Sequence, residues 1–406
     1  MRILMLGPVG IATVRNIEWI LDRGYELIFV ADRDPFFPGN PYNLRGSAPA
    51  NYRFIPFFGD RIKVELQGYN ITKSVENFTA GSRKWLGAIH IRWLVFSLQP
   101  DIIHVQAIYW VSECCAVAKV QPLVVSAWGF LNYLMDGVGK VSEKHHCLVT
   151  QTLEVATAVI VETPNLLDKT QALLQPSQRV TLIPLGANTK RFCPATPARI
   201  ARFRQAFAIP QDAKIILSPR SWTSGYGQLE IIEAYGLAQP DFDYPTAIVF
   251  LGLARGGVDR DYKDSFDSIV KKFNLEEKIH FLPYLPYEMM PGAYQLADII
   301  VNYPKTDAFP STLMEVVACE KAIISSNLPA YRGTFIDEFA TLVEPNNSLA
   351  LASAMTEVIN RPPAEYIESL KQARQAIVEQ YEEKLEQQKL MQLYEQLKSK
   401  RLHLSY

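Results

Sequence analysis

Short runs of branched apolar residues recur along the chain, separated by stretches long enough for helices. In the first half, the runs lie at residues 3–6, 27–31, 102–105, 122–126, 158–161 and 180–183. Val14, Ile17 and Ile20 follow the first run at helical spacing. Apolar runs that alternate with helices are typical of a parallel sheet with helices on both faces. The pattern predicts a doubly wound α/β domain over residues 1–194.

The same alternation restarts after Pro194. A charged helix is predicted at 198–207, and strands are predicted at residues 215–218, 247–251, 278–282, 299–302 and 322–325. This is a second doubly wound domain, over residues 195–380. From Ala364 onward, Glu, Lys, Gln and Leu at helical spacing predict one or two terminal helices, and the apolar positions do not persist in heptads as a coiled coil requires.

Composition narrows the class of protein. The chain has 406 residues, 48% hydrophobic and 20% charged, which suits two globular domains. Lys plus Arg number 41 and Asp plus Glu 42, so no overall charge favours nucleic acid. No apolar run is long enough to span a membrane, and the apolar start ends at Gly7, too early for a secretion signal. The chain has five cysteines, an odd number, and they lack the spacing of metal ligands. We therefore expect the protein to lie in the reducing cytoplasm.

The segment Asp307-Ala-Phe-Pro-Ser-Thr-Leu-Met-Glu315 carries the candidate chemistry. It follows the predicted strand at 299–302 and opens a helix, so it would lie at the carboxyl end of a parallel strand, where open α/β sheets bind ligands. Pro310 suits the first helical position, and the backbone N–H groups of residues 311–313 would then form an anion site for a diphosphate. Glu315 would accept hydrogen bonds from ribose hydroxyls. Without further information, these residues are equally compatible with an alternative in which Pro310 and Ser311 only cap a helix and Glu315 is a solvated charge.

This segment resembles the acidic-x7-Glu motif of retaining family 4 glycosyltransferases. Further stretches follow the family's landmarks in the same order, so the resemblance covers nearly the whole chain; they are 100–106, 126–129, 156–162 and 183–192. The resemblance implies a GT-B fold, with two Rossmann-like domains facing across a cleft. It also implies that the terminal helix, 381–406, packs on the amino-terminal domain.

The resemblance also implies roles for individual residues. Arg220 and Asp307 would be catalytic, Arg220 by stabilising charge on the diphosphate leaving group and Asp307 by binding hydroxyls of the donor sugar. The donor would be a UDP- or GDP-sugar bound by the carboxyl-terminal domain, and a saccharide or lipid-linked acceptor would enter from the amino-terminal domain. The residues expected to bind the donor are Gly10, Trp128, Gly129, Tyr226, Phe309, Pro310, Ser311, Thr312 and Glu315.

Three positions depart from the family pattern. The lysine that usually follows the arginine is missing, and Tyr226 or Arg255 is a candidate to replace it. Asp307 stands where most relatives have Glu, which leaves the donor sugar open. Trp128 stands where many relatives have a histidine that touches the transferred sugar; a core tryptophan is the alternative.

No cofactor, metal or nucleic acid is expected. The histidines lack ligand spacing, and Asp241-Phe-Asp243 lies in a Pro-bounded loop, so we predict metal-independent transfer. The stretch 83–96 mixes basic and aromatic residues on a predicted helix and suggests peripheral contact with a membrane. We favour the alternative that this helix buries its Trp and Leu side chains in the domain.

The leading hypothesis is retaining transfer in polysaccharide or envelope glycan biosynthesis. A catalytically weak GT-B protein that binds a nucleotide or glycan and acts with a partner is the alternative, because of the missing lysine and the shortened acidic residue. A nucleotide-sugar epimerase is disfavoured by Trp128.

Overall fold

A computed structural model of the chain describes residues 1–8, 10–31, 34–36, 48–57, 72–128, 143–174, 179–252 and 259–403. The chain divides into two compact units, residues 1–184 with 387–406, and residues 185–386. The first division precedes the predicted boundary near residue 195, because Ala187 and Phe192 are fully buried in the core of the second unit.

The amino-terminal unit is built on a seven-stranded parallel sheet in the order β3-β2-β1-β4-β5-β6-β7. Its strands are β1 (Arg2–Leu6), β2 (Glu26–Ala31), β3 (Tyr52–Pro56), β4 (Ile102–Val105), β5 (Leu123–Ser126), β6 (Ala158–Val161) and β7 (Arg179–Leu182). Its helices are α1 (Ile11–Asp22), α2 (Thr72–Leu98), α3 (Trp110–Ala118), α4 (Glu143–Val155) and α5 (Pro164–Leu173). Apolar clusters cover both faces of the sheet, as predicted for a doubly wound domain.

The carboxyl-terminal unit repeats this plan with six parallel strands in the order β10-β9-β8-β11-β12-β13. The strands are β8 (Lys214–Ser218), β9 (Thr246–Leu251), β10 (Ile279–Leu282), β11 (Ile299–Asn302), β12 (Ala322–Ser326) and β13 (Thr341–Val343). The helices are α6 (Pro197–Ala206), α7 (Gln228–Ala238), α8 (Arg260–Phe273), α9 (Met290–Gln295), α10 (Ser311–Ala318), α11 (Phe335–Phe339), α12 (Ser348–Asn360) and α13 (Pro363–Gln380). Single 3₁₀ turns lie at Ser224–Tyr226, Gln239–Asp241, Glu276–Lys278, Tyr287–Met289 and Pro329–Tyr331.

The last helix, α14 (Glu383–His403), belongs to the amino-terminal unit from Gln387 onward. Its apolar residues pack in the same cluster as Ile3 and Phe29 of the first sheet. They are Leu390, Met391, Leu393, Tyr394 and Leu397. The chain therefore returns to its first sheet at the end.

Two features of the fold differ from the sequence predictions. The strands β3 and β13 were not predicted: β3 is a half-exposed edge strand and β13 has only three residues, so neither has a buried apolar run. The preferred interpretation of α2, that it buries its Trp and Leu side chains in the domain, was wrong, because Trp85, Leu86 and Trp93 are exposed.

Within the described residues, no helix is both long and apolar enough to cross a membrane.

Candidate active site

The strand order of the carboxyl-terminal sheet reverses between β8 and β11. These strands are parallel neighbours, with Ile216 beside Ile299 and Leu217 beside Ile300. The loops that follow them therefore leave the same edge of the sheet on either side of the reversal. In open α/β sheets this position is where ligands bind.

An ion pair joins the two loops. Arg220, after β8, lies 3.3 Å from the Asp307 carboxylate, after β11, and both side chains are only 12% exposed. The ring of Tyr226 lies 4.1 Å from the guanidinium carbon, a cation–π contact. Burial alone would lower the pKa of Arg220, but Asp307, Tyr226 and Tyr331 together raise it. The arginine is therefore a permanent cation at the place where the strand order reverses.

The Asp307 carboxylate is held on several sides. Tyr331 donates a hydrogen bond from its hydroxyl at 3.1 Å, and the Ala308 backbone N–H donates another at 2.9 Å. The Tyr331 hydroxyl oxygen in turn accepts a hydrogen bond from the side-chain amide of Asn302 at 3.4 Å. Burial and the neighbouring Asp307 raise the pKa of Tyr331 well above its usual value, so this phenol stays a donor. The carboxylate is preorganised by groups from three strand ends.

Backbone contacts fix the spacing of the two loops. Gly227 has a φ of +71°, and a Cβ there would lie 2.3 Å from the carbonyl oxygen of Tyr303. The backbone N–H of Lys305 donates to the Gly225 carbonyl at 3.0 Å, and its ammonium lies 3.0 Å from Glu230. The segment that follows Arg220 is thus tied to the segment that precedes Asp307.

The start of α10 differs from the prediction by one residue. Pro310 is the N-cap and Ser311 the first helical residue, and the Leu313 N–H donates to the Pro310 carbonyl at 3.1 Å. The predicted anion site therefore reduces to the N–H groups of Ser311 and Thr312, for which an α-helix offers no internal acceptors. Both residues are partly exposed.

Glu315 points into a pair of tyrosines instead of being a solvated charge. Glu315 is only 4% exposed. Tyr287 donates to one carboxylate oxygen at 2.8 Å and Tyr294 to the other at 3.2 Å. Burial and the carboxylate raise the pKa of Tyr294 well above its usual value.

The predicted donor contact of Phe309 is corrected. Its ring is 2% exposed and packs against Phe335 and Tyr381, each at 5.7 Å between centroids. The side chain therefore anchors the loop in the core. An aromatic residue between a strand and a helix buries its large apolar ring in the nearest apolar layer.

The other predicted residues lie in the amino-terminal unit or outside the described residues. Gly10 is the N-cap of α1, and a Cβ there would meet no atom within 4 Å. Trp128 follows β5, and its buried indole N–H finds no acceptor among the described residues. Gly129 and Arg255 lie outside the described residues.

Sequence reasoning did not identify the three supporting tyrosines or Lys305. Tyr287, Tyr294 and Tyr331 are far from the motif in sequence and reach it only through tertiary packing. Lys305 left a local signal, because it stands two residues before Asp307 in the same strand-end loop. Among the residues that the structure describes, no group of three or more His, Cys, Asp and Glu could hold a metal; metal independence stays a prediction.

Comparison with known proteins gives matches in sequence. Residues 199–380 match the model of the family described as glycosyl transferases group 1. The D-inositol 3-phosphate glycosyltransferase of Corynebacterium urealyticum is 21% identical over 56% of this chain and 54% of its own length. The mannosylfructose-phosphate synthase of Agrobacterium fabrum is 28% identical over 35% of this chain and 31% of its own length. The chain thus spans about half or less of these relatives.

Solved structures match over nearly the whole chain. Sucrose-phosphate synthase from Thermosynechococcus elongatus superposes with a TM-score of 0.73 at 19% identity, over 98% of this chain and 99% of that one. The Anabaena protein HepE in complex with UDP and glucose gives a TM-score of 0.71 at 14% identity, over 98% of this chain and 100% of that one. At such identities these likenesses establish the fold, which is GT-B. Residues 199–380, less than half of the chain, are similar to the glycosyl transferases group 1 family.

Proposed function

We propose that this protein transfers a sugar from a UDP- or GDP-sugar to a saccharide or lipid-linked saccharide, with retention of configuration, in polysaccharide or envelope glycan biosynthesis. The family match supports the reaction class. The Anabaena structures, solved with UDP, with UDP and glucose and with UDP-glucose, support a nucleotide-sugar donor.

The observation that carries the proposal is the buried ion pair of Arg220 and Asp307 at the strand reversal. A cation held there without freedom to move suits the charge that develops on a departing diphosphate, since preorganised groups need no rearrangement during reaction. In this proposal Asp307, which lies next to that cation, accepts hydrogen bonds from hydroxyls of the sugar.

The start of α10 supplies the rest of the donor site in this proposal. The N–H groups of Ser311 and Thr312 bind diphosphate oxygens with the help of the helix dipole. Glu315, oriented by Tyr287 and Tyr294, accepts hydrogen bonds from the ribose.

Lys305 is our candidate for the second cation. Tyr226 faces Arg220 with its ring and brings no positive charge. Lys305 lies in the loop before Asp307, its backbone N–H donates to the Gly225 carbonyl, and its side chain is 44% exposed. When a diphosphate binds, the ammonium exchanges Glu230 for phosphate oxygens, which carry more negative charge.

Acceptor and location are also part of the proposal. The names of the relatives include a D-inositol 3-phosphate glycosyltransferase and an alpha-galactosylglucosyldiacylglycerol synthase, which support a phosphorylated, saccharide or lipid-borne hydroxyl as acceptor. The cytoplasm, with peripheral contact at the inner membrane face, is the proposed location, in keeping with the free thiols of all five cysteines.

The test is a screen of UDP- and GDP-sugars in which released nucleoside diphosphate is measured with EDTA present, and the anomeric configuration of any product is read by NMR. We expect release with one donor, EDTA resistance and a retained configuration. Arg220→Ala is the matched control and should release about 100-fold less. Equal release by the variant would remove the proposed site, and an inverted product would remove retention.

A further inference from the structure

The helix α2 is apolar on the side that faces away from its own domain. Ala88, Ile91 and Leu94 are buried in the core of the amino-terminal unit. On the opposite side Trp85 is 62% exposed, Trp93 59% and Phe96 79%. A soluble surface helix normally carries polar residues there, and a helix that is apolar all round is covered by something.

The exposed side chains form one stripe. They are Trp85, Leu86, Ile89, Trp93 and Phe96, which we call the α2 stripe. At about 100° per residue they fall within an arc of about 100° and run along about three turns of the helix. Exposed apolar residues are unremarkable when scattered, but a continuous row marks an interaction surface.

The helix is held so that this stripe stays outward. Gly87 lies so close to α3 that a Cβ would come within 2.6 Å of the Cys114 sulfur. Lys84 pairs with Glu113 of α3 at 3.0 Å, and Arg92 donates to the Ala118 carbonyl at 2.9 Å. Rotation of α2 to bury the stripe would break this packing.

Charge indicates what covers the stripe. Between Glu76 and Asp101 the sequence has no acidic residue, while it has Arg83, Lys84 and Arg92. Lys119 is exposed next to the carbonyl that Arg92 contacts. An apolar stripe flanked only by basic residues of its own helix complements the negative surface of anionic lipids. Tryptophan suits that boundary, because its ring is apolar and its N–H reaches polar groups.

We propose that the α2 stripe docks the amino-terminal unit on an anionic lipid bilayer, with the helix lying in the plane of the surface. The aromatic and aliphatic side chains enter the acyl boundary, and the exposed Arg92 and Lys119 contact lipid phosphates. This proposal rests on the peripheral membrane contact of the proposed function and names its surface, while vesicle binding itself does not require sugar transfer.

The experiment is co-sedimentation of the full chain with vesicles of phosphatidylcholine alone or with about 30% phosphatidylglycerol. We expect binding to the anionic vesicles, weakened by about 0.5 M salt because screening removes the electrostatic part. The double variant Trp85→Ser/Trp93→Ser should bind about tenfold or more weakly, since it loses the two interfacial aromatics. Leu173→Ser/Leu349→Ser is the matched control: both leucines are exposed elsewhere, at 63% and 70%, and their loss should leave binding unchanged.

Quenching of tryptophan emission by brominated lipid gives a second readout, strong for the wild type and weak for Trp85→Ser/Trp93→Ser. Three results would overturn the proposal. They are equal binding to neutral vesicles, equal binding by the tryptophan variant, and no vesicle binding together with a dimer in light scattering that the same variant dissociates. The last would make the stripe a contact between copies of this chain.

Discussion

Arg220 and Asp307 come from neighbouring strand ends, and their charged groups lie 3.3 Å apart with both side chains 12% exposed. Such a pair is neutral overall, so a diphosphate that binds Arg220 has to compete with Asp307 for the guanidinium. Removing one partner of a buried pair leaves the other charge without compensation. Loss of either residue should therefore affect both stability and activity.

Substitution at Arg220 should lower both stability and activity. Arg220→Ala should lower kcat by about 100-fold or more and the free energy of unfolding by about 3 kcal/mol, because it leaves Asp307 buried and unpaired. Denaturant unfolding and steady-state kinetics measure both. The control is Arg361→Ala, which breaks an exposed pair with Glu357 and should change neither quantity appreciably. Wild-type stability in Arg220→Ala would show that the pair is not buried as described.

Asp307→Asn should retain much of the stability that Arg220→Ala loses. The amide oxygen can still accept from the hydroxyl of Tyr331 and from the guanidinium of Arg220, so hydrogen bonding offsets part of the lost counter-charge. We expect slower transfer with a smaller change in unfolding midpoint. A midpoint as low as that of Arg220→Ala would contradict the proposed division between charge and hydrogen bonding.

Lys305 is predicted to act on donor affinity. Lys305→Gln should raise KM for the nucleotide-sugar by about tenfold and leave the unfolding midpoint almost unchanged, because the Lys305 side chain is 44% exposed in its pair with Glu230. Lys305→Arg is the control and should retain most of the affinity. If Lys305→Gln binds the donor as the wild type does, the second cation comes from elsewhere.

Gly227 should tolerate no side chain. Its φ of +71° and the 2.3 Å approach of the Tyr303 carbonyl predict that Gly227→Ala loses about 2 kcal/mol or more of stability. Gly225→Ala is the matched control, because the nearest atom to its Cβ is the Thr223 hydroxyl at 3.8 Å. Thermal midpoints of the two variants test this, and equal midpoints would mean that the loop is not tied to β11.

The amino-terminal unit should lose stability in acid through His104. This residue is fully buried in β4, with Ser126 at 2.8 Å and Gln106 at 2.9 Å, and burial lowers its pKa from 6.5 to about 3. The folded state thus favours neutral imidazole, so the stability is complete above pH 6.5 and declines as pH falls toward 3. Relative to His104→Gln, the free energy of unfolding should fall by about 2 kcal/mol between pH 8 and pH 5. Parallel pH profiles would contradict this assignment.

The strands of both sheets were predictable where burial on two faces makes a continuous apolar run, as at 299–302 and 102–105. The edge strand β3 and the short β13 lack such runs. The motif at Asp307 could be found because strand, loop and helix are consecutive in sequence. Its tyrosine partners could not, because Tyr331 and Tyr294 meet the carboxylates only through tertiary packing.

The wrong prediction that α2 buries its tryptophans has a different physical origin. Its sequence is apolar at positions on two opposite sides, and periodicity cannot tell which side faces the core. The small residues Gly87 and Ala88 decide it, because they permit the close approach of α3 and leave Trp85 and Trp93 outward. An aromatic-rich helix therefore does not by itself predict buried aromatics.

The site around Arg220, Asp307 and Glu315 should bind a nucleoside diphosphate. Calorimetric titration of UDP and GDP into the wild type and into Glu315→Gln tests it directly, since the amide keeps the size of the side chain and removes its charge. We expect one nucleotide to bind the wild type and to bind the variant about tenfold more weakly, with an unfolding transition that shows the variant to be folded at the titration temperature. Equal dissociation constants, or no binding of either nucleotide to the wild type, would contradict it.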